Sequence, residues 1–168
     1  ESAVDILELN NCPIYKISSF EINHYPLLKK VALTKKPLIV STGTASIQEI
    51  DKTIKFLKKY TNAPMAILYC VSNYPASKED FNLNNLKILK KKFNCVIGLS
   101  DHSKDSIVSQ LSISLGAQII EKHIALEYQK VGPDINFSLK GKNIKRFIDK
   151  LNESKKLIGE KKFIRKSK

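Results

Sequence analysis

Cys95-Val96-Ile97-Gly98-Leu99-Ser100-Asp101-His102 and Gln118-Ile119-Ile120-Glu121-Lys122-His123 are built alike: a short apolar run passes into polar residues and closes on a histidine. Each run has the length and composition of a buried strand, so each histidine is predicted at a strand's C-terminal end. In parallel sheets and barrels those ends gather on one face, where ligands bind. Two imidazoles brought together there can share a divalent metal. The competing reading is a pair of ordinary hydrogen-bonded histidines, and the two segments alone leave both open.

The same punctuation runs through the rest of the chain. Further strands are predicted at residues 14–18, at 38–40 leading into Ser41-Thr42-Gly43, and at 65–70, with 95–99 and 119–123 as the fourth and fifth. Between them lie helical patterns. Residues 1–9 have the spacing of a helix tail that Asn10, Asn11 and Pro13 interrupt, and a helix is predicted over 25–33. Ser46 and Glu49 form a capping box ahead of Ile47, Ile50, Ile54 and Leu57 at helical spacing. Helices are also predicted over 84–93, over 106–115 with Gly116 closing the helix, and over 144–158 after a loop at 127–139. This alternation is that of βα units in a parallel sheet, five in number. The class is α/β. A closed (β/α)8 barrel needs about 250 residues, so 168 residues supply either part of a TIM barrel or an open five-stranded sheet whose edges would pair or aggregate.

Composition narrows the function classes. Apolar residues make up 42% of the chain, enough for a core. No apolar run approaches the roughly 18 residues of a membrane helix and no signal-peptide pattern is seen, so the expectation is a soluble, cytoplasmic protein. Cys12, Cys70 and Cys95 are odd in number and lack a CxxC spacing, which favours reduced core thiols over disulfides or a thiolate zinc site. The net charge of +13 comes mostly from lysines such as Lys52, Lys55, Lys58 and Lys59, without interleaved aromatics. That pattern favours a solvated helix face over a nucleic-acid surface, and neither a nucleic-acid nor a membrane partner is expected. Its field can still steer an anionic substrate.

Several motifs in order carry a resemblance. Tyr15-Lys16-Ile17-Ser18-Ser19-Phe20-Glu21-Ile22, Ser41-Thr42-Gly43 and Cys70-Val71-Ser72-Asn73-Tyr74-Pro75 precede the two histidine segments, and Gly132-Pro133-Asp134 and Phe137-Ser138-Leu139 follow them. Together they resemble the sialic acid synthase family, which condenses phosphoenolpyruvate with an amino-sugar into nine-carbon nonulosonic acids. The resemblance covers nearly the whole chain. It implies a (β/α)8 TIM barrel of which this chain is strands four to eight. Residues 1–160 would be the C-terminal part of the barrel domain, and 161–168 a basic tail or linker toward a C-terminal antifreeze-like domain. Full-length members are expected to be homodimers.

The resemblance also implies roles. His102 and His123 would be the catalytic ligands of a divalent metal, usually Mn2+ with Mg2+ or Co2+ as alternatives, that polarises the sugar aldehyde. Lys16 and Ser19 would hold phosphoenolpyruvate. Ser100 shares a side with His102 by period two, as Glu121 does with His123, so its hydroxyl can place an anion beside the metal. Glu21, as a catalytic carboxylate, and Asp134 would accept from sugar hydroxyls, with Tyr74 lining the sugar pocket. Ser72 stands where N-acetylneuraminate synthases often have an asparagine that contacts phosphoenolpyruvate. That serine, the Leu99 of the histidine motif, Ser19-Phe20-Glu21-Ile22 and Phe137-Ser138-Leu139 all look more like the pseudaminic acid branch. Three rivals remain: another phosphoenolpyruvate-condensing barrel aldolase that takes a phosphorylated sugar, a metal-dependent barrel hydrolase, and a truncated, inactive sugar- or anion-binding module.

Overall fold

Alternation along the strands divides their side chains between two faces. Tyr15, Ile17, Leu38, Val40, Ile67 and Ile97 are buried in one core with Leu28, Val31, Ile50, Ile54, Leu57, Leu86 and Leu89 of the helices. The computed structural model describes residues 1–73 and 76–160. In chain order these form α1 (Ser2–Leu9), β1 (Tyr15–Ile17), α2 (Tyr25–Leu33), β2 (Leu38–Ser41), α3 (Ile47–Lys58), β3 (Met65–Cys70), α4 (Asn85–Lys92), β4 (Val96–Asp101), α5 (Ile107–Ser114), β5 (Ile119–Lys122), β6 (Ile124–Ala125), β7 (Leu139–Lys140) and α6 (Lys142–Ile158). Tyr74 and the basic tail at 161–168 lie outside the described residues.

β1 to β5 form one sheet in sequence order, and every ladder is parallel. Successive neighbours joined by right-handed crossovers carry all their helices on one face, as in the wall of a barrel and unlike a doubly wound sheet. The other face is concave. Lys16 on one edge strand meets Glu121 on the opposite edge strand at 3.4 Å. In a flat sheet, strand spacings of about 4.8 Å would hold those backbones roughly 19 Å apart, beyond the reach of the two side chains. The fold is therefore a five-stranded half-barrel, and the flat open sheet is not formed.

Local departures from the expected boundaries have physical reasons. β4 runs two residues past Leu99, because Ser100 and Asp101 are register partners of Glu121 and Lys122. β5 ends at Lys122, and the carbonyl of His123 accepts the Leu139 N–H at 2.9 Å. There the chain passes into the short parallel pair of β6 and β7, so part of the expected 127–139 loop is strand. The capping box of α3 forms as expected, with Ser46 and Glu49 each satisfying the other's backbone N–H. Among the described residues no helix is long and apolar enough to cross a membrane.

Candidate active site

The C-terminal ends of the strands surround a cleft of about 350 Å³ lined by Lys16, Ser18, Ser19, Cys70, Ser100, His102, Glu121, Lys122 and His123. Larger hollows of about 530 and 720 Å³ lie at the strands' N-terminal ends and beside α6, and one of about 470 Å³ lies between residues 104–106 and α6; none of the three is lined by a histidine. Strand geometry brings several of the lining residues to the cleft, and the two histidines follow directly on the ends of β4 and β5. Lys16 is the outward-alternating residue of β1 between buried Tyr15 and Ile17, and Cys70, Ser100 and Glu121 stand side by side on β3, β4 and β5.

The two histidines meet. Their ring centroids are 5.3 Å apart, and Phe137, itself 5% exposed, packs edge-on at 6.3 Å from His102 and 5.1 Å from His123. His102 Nδ1 lies 2.8 Å from the carbonyl of Val71. A carbonyl can only accept, so Nδ1 carries the proton and donates. Nε2 then holds the lone pair, 3.5 Å from Ser100 Oγ. Burial pushes the His102 imidazole below its ordinary pKa, with His123 adding to the effect, while the Val71 carbonyl opposes it. A neutral ring is the ligating form. His123 Nδ1 stands 3.6 Å from Asp134 Oδ2. Among the described residues no third histidine, cysteine or carboxylate completes a metal-binding group. The donor set fits a divalent ion that takes two protein ligands and fills its shell with substrate and water.

Beside the histidines a lysine and hydroxyl groups gather around the Glu121 carboxylate. Lys16 Nζ is 3.4 Å from Glu121 Oε2, and Ser100 Oγ donates to Glu121 Oε1 at 2.6 Å. Ser19 begins a 3₁₀ turn just after β1, and its hydroxyl reaches to 3.4 Å from that of Ser72. The chain has therefore turned before Ser19, so Ser19 as well as Ser18 joins Lys16 at the cleft. Gly43, at φ +52°, makes that contact possible: a Cβ there would stand 2.4 Å from Ser19 Cβ and 3.0 Å from Ser72 Oγ. Asn73 does not replace the asparagine absent at 72, because its amide donates to Asp80 at 3.0 Å.

Three predicted residues do not line the cleft: Ser72, which touches it through Ser19, and Glu21 and Asp134. Glu21 accepts the hydroxyl proton of Ser18 and does not line the cleft. Asp134 meets the site through His123 Nδ1 and, by its carbonyl, through the Phe137 N–H at 3.3 Å, and it does not line the cleft. Others were missed. Glu121 is the hub between Lys16 and Ser100, and its only signal in the sequence was the side it shares with His123. Ser41 Oγ, in the Ser-Thr-Gly segment, is buried at the end of β2 with no hydrogen-bond partner among the described residues. Cys70 accepts the Gly43 N–H at 3.0 Å, and burial raises its thiol pKa, which suits a packing role rather than nucleophilic chemistry.

The family model described as the NeuB family matches residues 1–163. This chain belongs to the NeuB family. A pseudaminic acid synthase of Helicobacter pylori is 39% identical over 158 residues, covering 94% of this chain and 46% of that protein. An N-acetylneuraminate-9-phosphate synthase of Drosophila melanogaster is 34% identical over 146 residues, covering 86% of this chain and 39% of its own length. The chain spans less than half the length of the curated relatives it matches. A crystal structure of an N-acetylneuraminic acid synthetase from Leptospira borgpetersenii, in complex with citrate, matches with a TM-score of 0.91 at 33% identity over 98% of this chain and 57% of that one. A 3-deoxy-D-arabino-heptulosonate 7-phosphate synthase of Thermotoga maritima shares the fold, with a TM-score of 0.69 at 21% identity. The five-stranded parallel half-barrel has the architecture of a partial TIM barrel.

Proposed function

We propose that this NeuB-family chain belongs to an enzyme that condenses phosphoenolpyruvate with an unphosphorylated six-carbon acetamido-sugar to give a nine-carbon nonulosonic acid and inorganic phosphate. The observation that carries the reading is the convergence of Lys16, Ser19 and Ser100 with the His102–His123 pair in one cleft. A cation and hydroxyl donors suit a phosphate or carboxylate, and the neighbouring imidazoles suit a divalent metal.

The chain's own groups divide the work. Lys16, Ser19 and Ser100 hold the phosphoenolpyruvate anion, with Ser72 beside them, and Lys16 and Ser100 give up the Glu121 carboxylate they hold now to do so. His102 and His123 would hold the metal, manganese in this reading with magnesium or cobalt as alternatives. When bound, that ion supplies Lewis-acid polarisation of the open-chain sugar's aldehyde. Glu21 and Asp134 accept from sugar hydroxyls, which requires each to exchange the partner it holds now, Ser18 and His123 respectively. Tyr74 lines the sugar pocket in this reading. The methylene carbon of phosphoenolpyruvate attacks the aldehyde carbon and the aldehyde oxygen takes up a proton. Water then adds to the resulting cation, and phosphate departs.

The pseudaminic branch is the preferred assignment, supported by Ser72 and by the identity to the Helicobacter pylori enzyme. Complete members are taken to be homodimers. The three cysteines are unpaired, which suits a reducing compartment, and the cytoplasm is the proposed location. Phosphate release by the full-length protein carrying this chain tests the proposal, with phosphoenolpyruvate, manganese and either plain or 6-phosphorylated acetamido-hexoses. Release confined to a plain sugar is expected. Release only with the phosphorylated sugar assigns it to another class of condensing aldolase, and silence with both sinks the synthase reading.

A further inference from the structure

Asp101 and Lys122 stand immediately before the two histidines and are partners on the last rung of the β4–β5 ladder. Beyond that rung no ladder joins the two strands, yet the next residue on each side must present its ring at a fixed separation. Both side chains are buried, 0% exposed for Asp101 and 5% for Lys122. Lys122 Nζ lies 3.4 Å from Asp101 Oδ1 and donates to the carbonyl of Ser103, so it grips the chain on both sides of His102. Asp101 Oδ1 accepts the Ser103 N–H at 2.8 Å, which closes a turn around His102, and Oδ2 accepts the hydroxyl of Ser109 on α5. The Lys122 ammonium also sits 6.0 Å from the ring centroid of Phe147 on α6. Strand alternation turns these side chains away from Ser100 and Glu121. The pair therefore ties β4, α5, β5 and α6 together at the level of the histidines.

We propose that Asp101 and Lys122 are positioning residues of the two-histidine site, a buried latch that sets the separation and tilt of the His102 and His123 rings. An apolar pair of similar volume could fill this space with equal or greater stability, but it could not hold the Ser103 backbone from both sides. The inference rests on the reading of the histidines as a divalent-metal site, and outer-shell partners of metal ligands govern affinity by fixing ligand orientation.

The test separates positioning from mere core stability. Asp101→Leu with Lys122→Met replaces the pair by apolar side chains, and Ser109→Ala removes one donor to Asp101 while leaving the pair. For each, the urea midpoint, the imidazole NMR resonances of the metal-free chain and manganese affinity by calorimetry are measured. The double variant is expected to stay folded while the His102 and His123 resonances move, His24 stays in place, and manganese binds about 10- to 100-fold more weakly. Ser109→Ala is expected to move the same resonances less, and it decides the matter should the double variant fail to fold. Unmoved His102 and His123 resonances in a folded variant overturn the latch, whatever manganese does. If they move although the unaltered chain binds no manganese, the latch stands and the metal reading fails.

Discussion

Gly98 has no side chain because β5 leaves no room for one. A Cβ there would lie 2.4 Å from the carbonyl oxygen of Ile119 and 2.5 Å from Leu68 Cδ2, and neither strand can yield without moving the residues that carry Ser100, Glu121 and His123. Gly98→Ala is therefore expected to destabilise the chain by about 1–3 kcal/mol, an overpacking cost, read from urea unfolding. A variant as stable as its parent would show that the sheet relaxes freely at this point. Gly43→Ala acts differently, since it combines a left-handed backbone angle with a Cβ aimed at Ser19. It is expected to cost about 1–3 kcal/mol and also to weaken phosphoenolpyruvate binding, measured by calorimetry; unchanged binding would place Ser19 and Ser72 outside the anion site. At this scale the sequence was informative wherever a motif ends a strand, as with His102, His123 and Lys16. It was silent on Glu121 as a hub, because the partner it meets across the cleft lies on the far edge strand and no local pattern encodes that meeting.

Among the elements, α3 shows how far local chemistry reaches. Its capping box was legible as Ser46 and Glu49, and both reciprocal bonds form. Ser46→Ala is expected to cost about 1 kcal/mol. The Ser46 hydroxyl, and then its backbone N–H, hold the Glu49 carboxyl below its usual 4.5. A carboxyl depressed in the folded state stabilises the fold above the unfolded pKa, and that contribution is lost as pH falls through the folded value. The stability gap between parent and Glu49→Gln should accordingly be full at neutral pH and shrink as pH falls below 4.5. A gap independent of pH would contradict the box. The β6–β7 pair was not legible. Two residues per strand offer no periodicity to read, and what creates the pair is the long-range return of Leu139 onto the chain at His123.

Over the whole molecule, βα alternation announced a parallel sheet, but the same pattern suits a barrel wall and an open sheet equally. Curvature decides between them, and it resides in the concave-face residues, where Gly98 admits β5 closely and Lys16 reaches Glu121 across the cleft. That curvature gathers the two histidines, the lysine and the serines into one mouth, and the family match over residues 1–163 agrees with it. The measurement that bears most directly on the central claim is calorimetric titration of manganese into this chain, with and without phosphoenolpyruvate, alongside His102→Ala, His123→Ala and Lys16→Ala. The expected result is one manganese site that either histidine substitution removes, that phosphoenolpyruvate tightens, and whose tightening Lys16→Ala abolishes. Manganese binding indifferent to both histidine substitutions, or absent from the folded chain, would contradict the account.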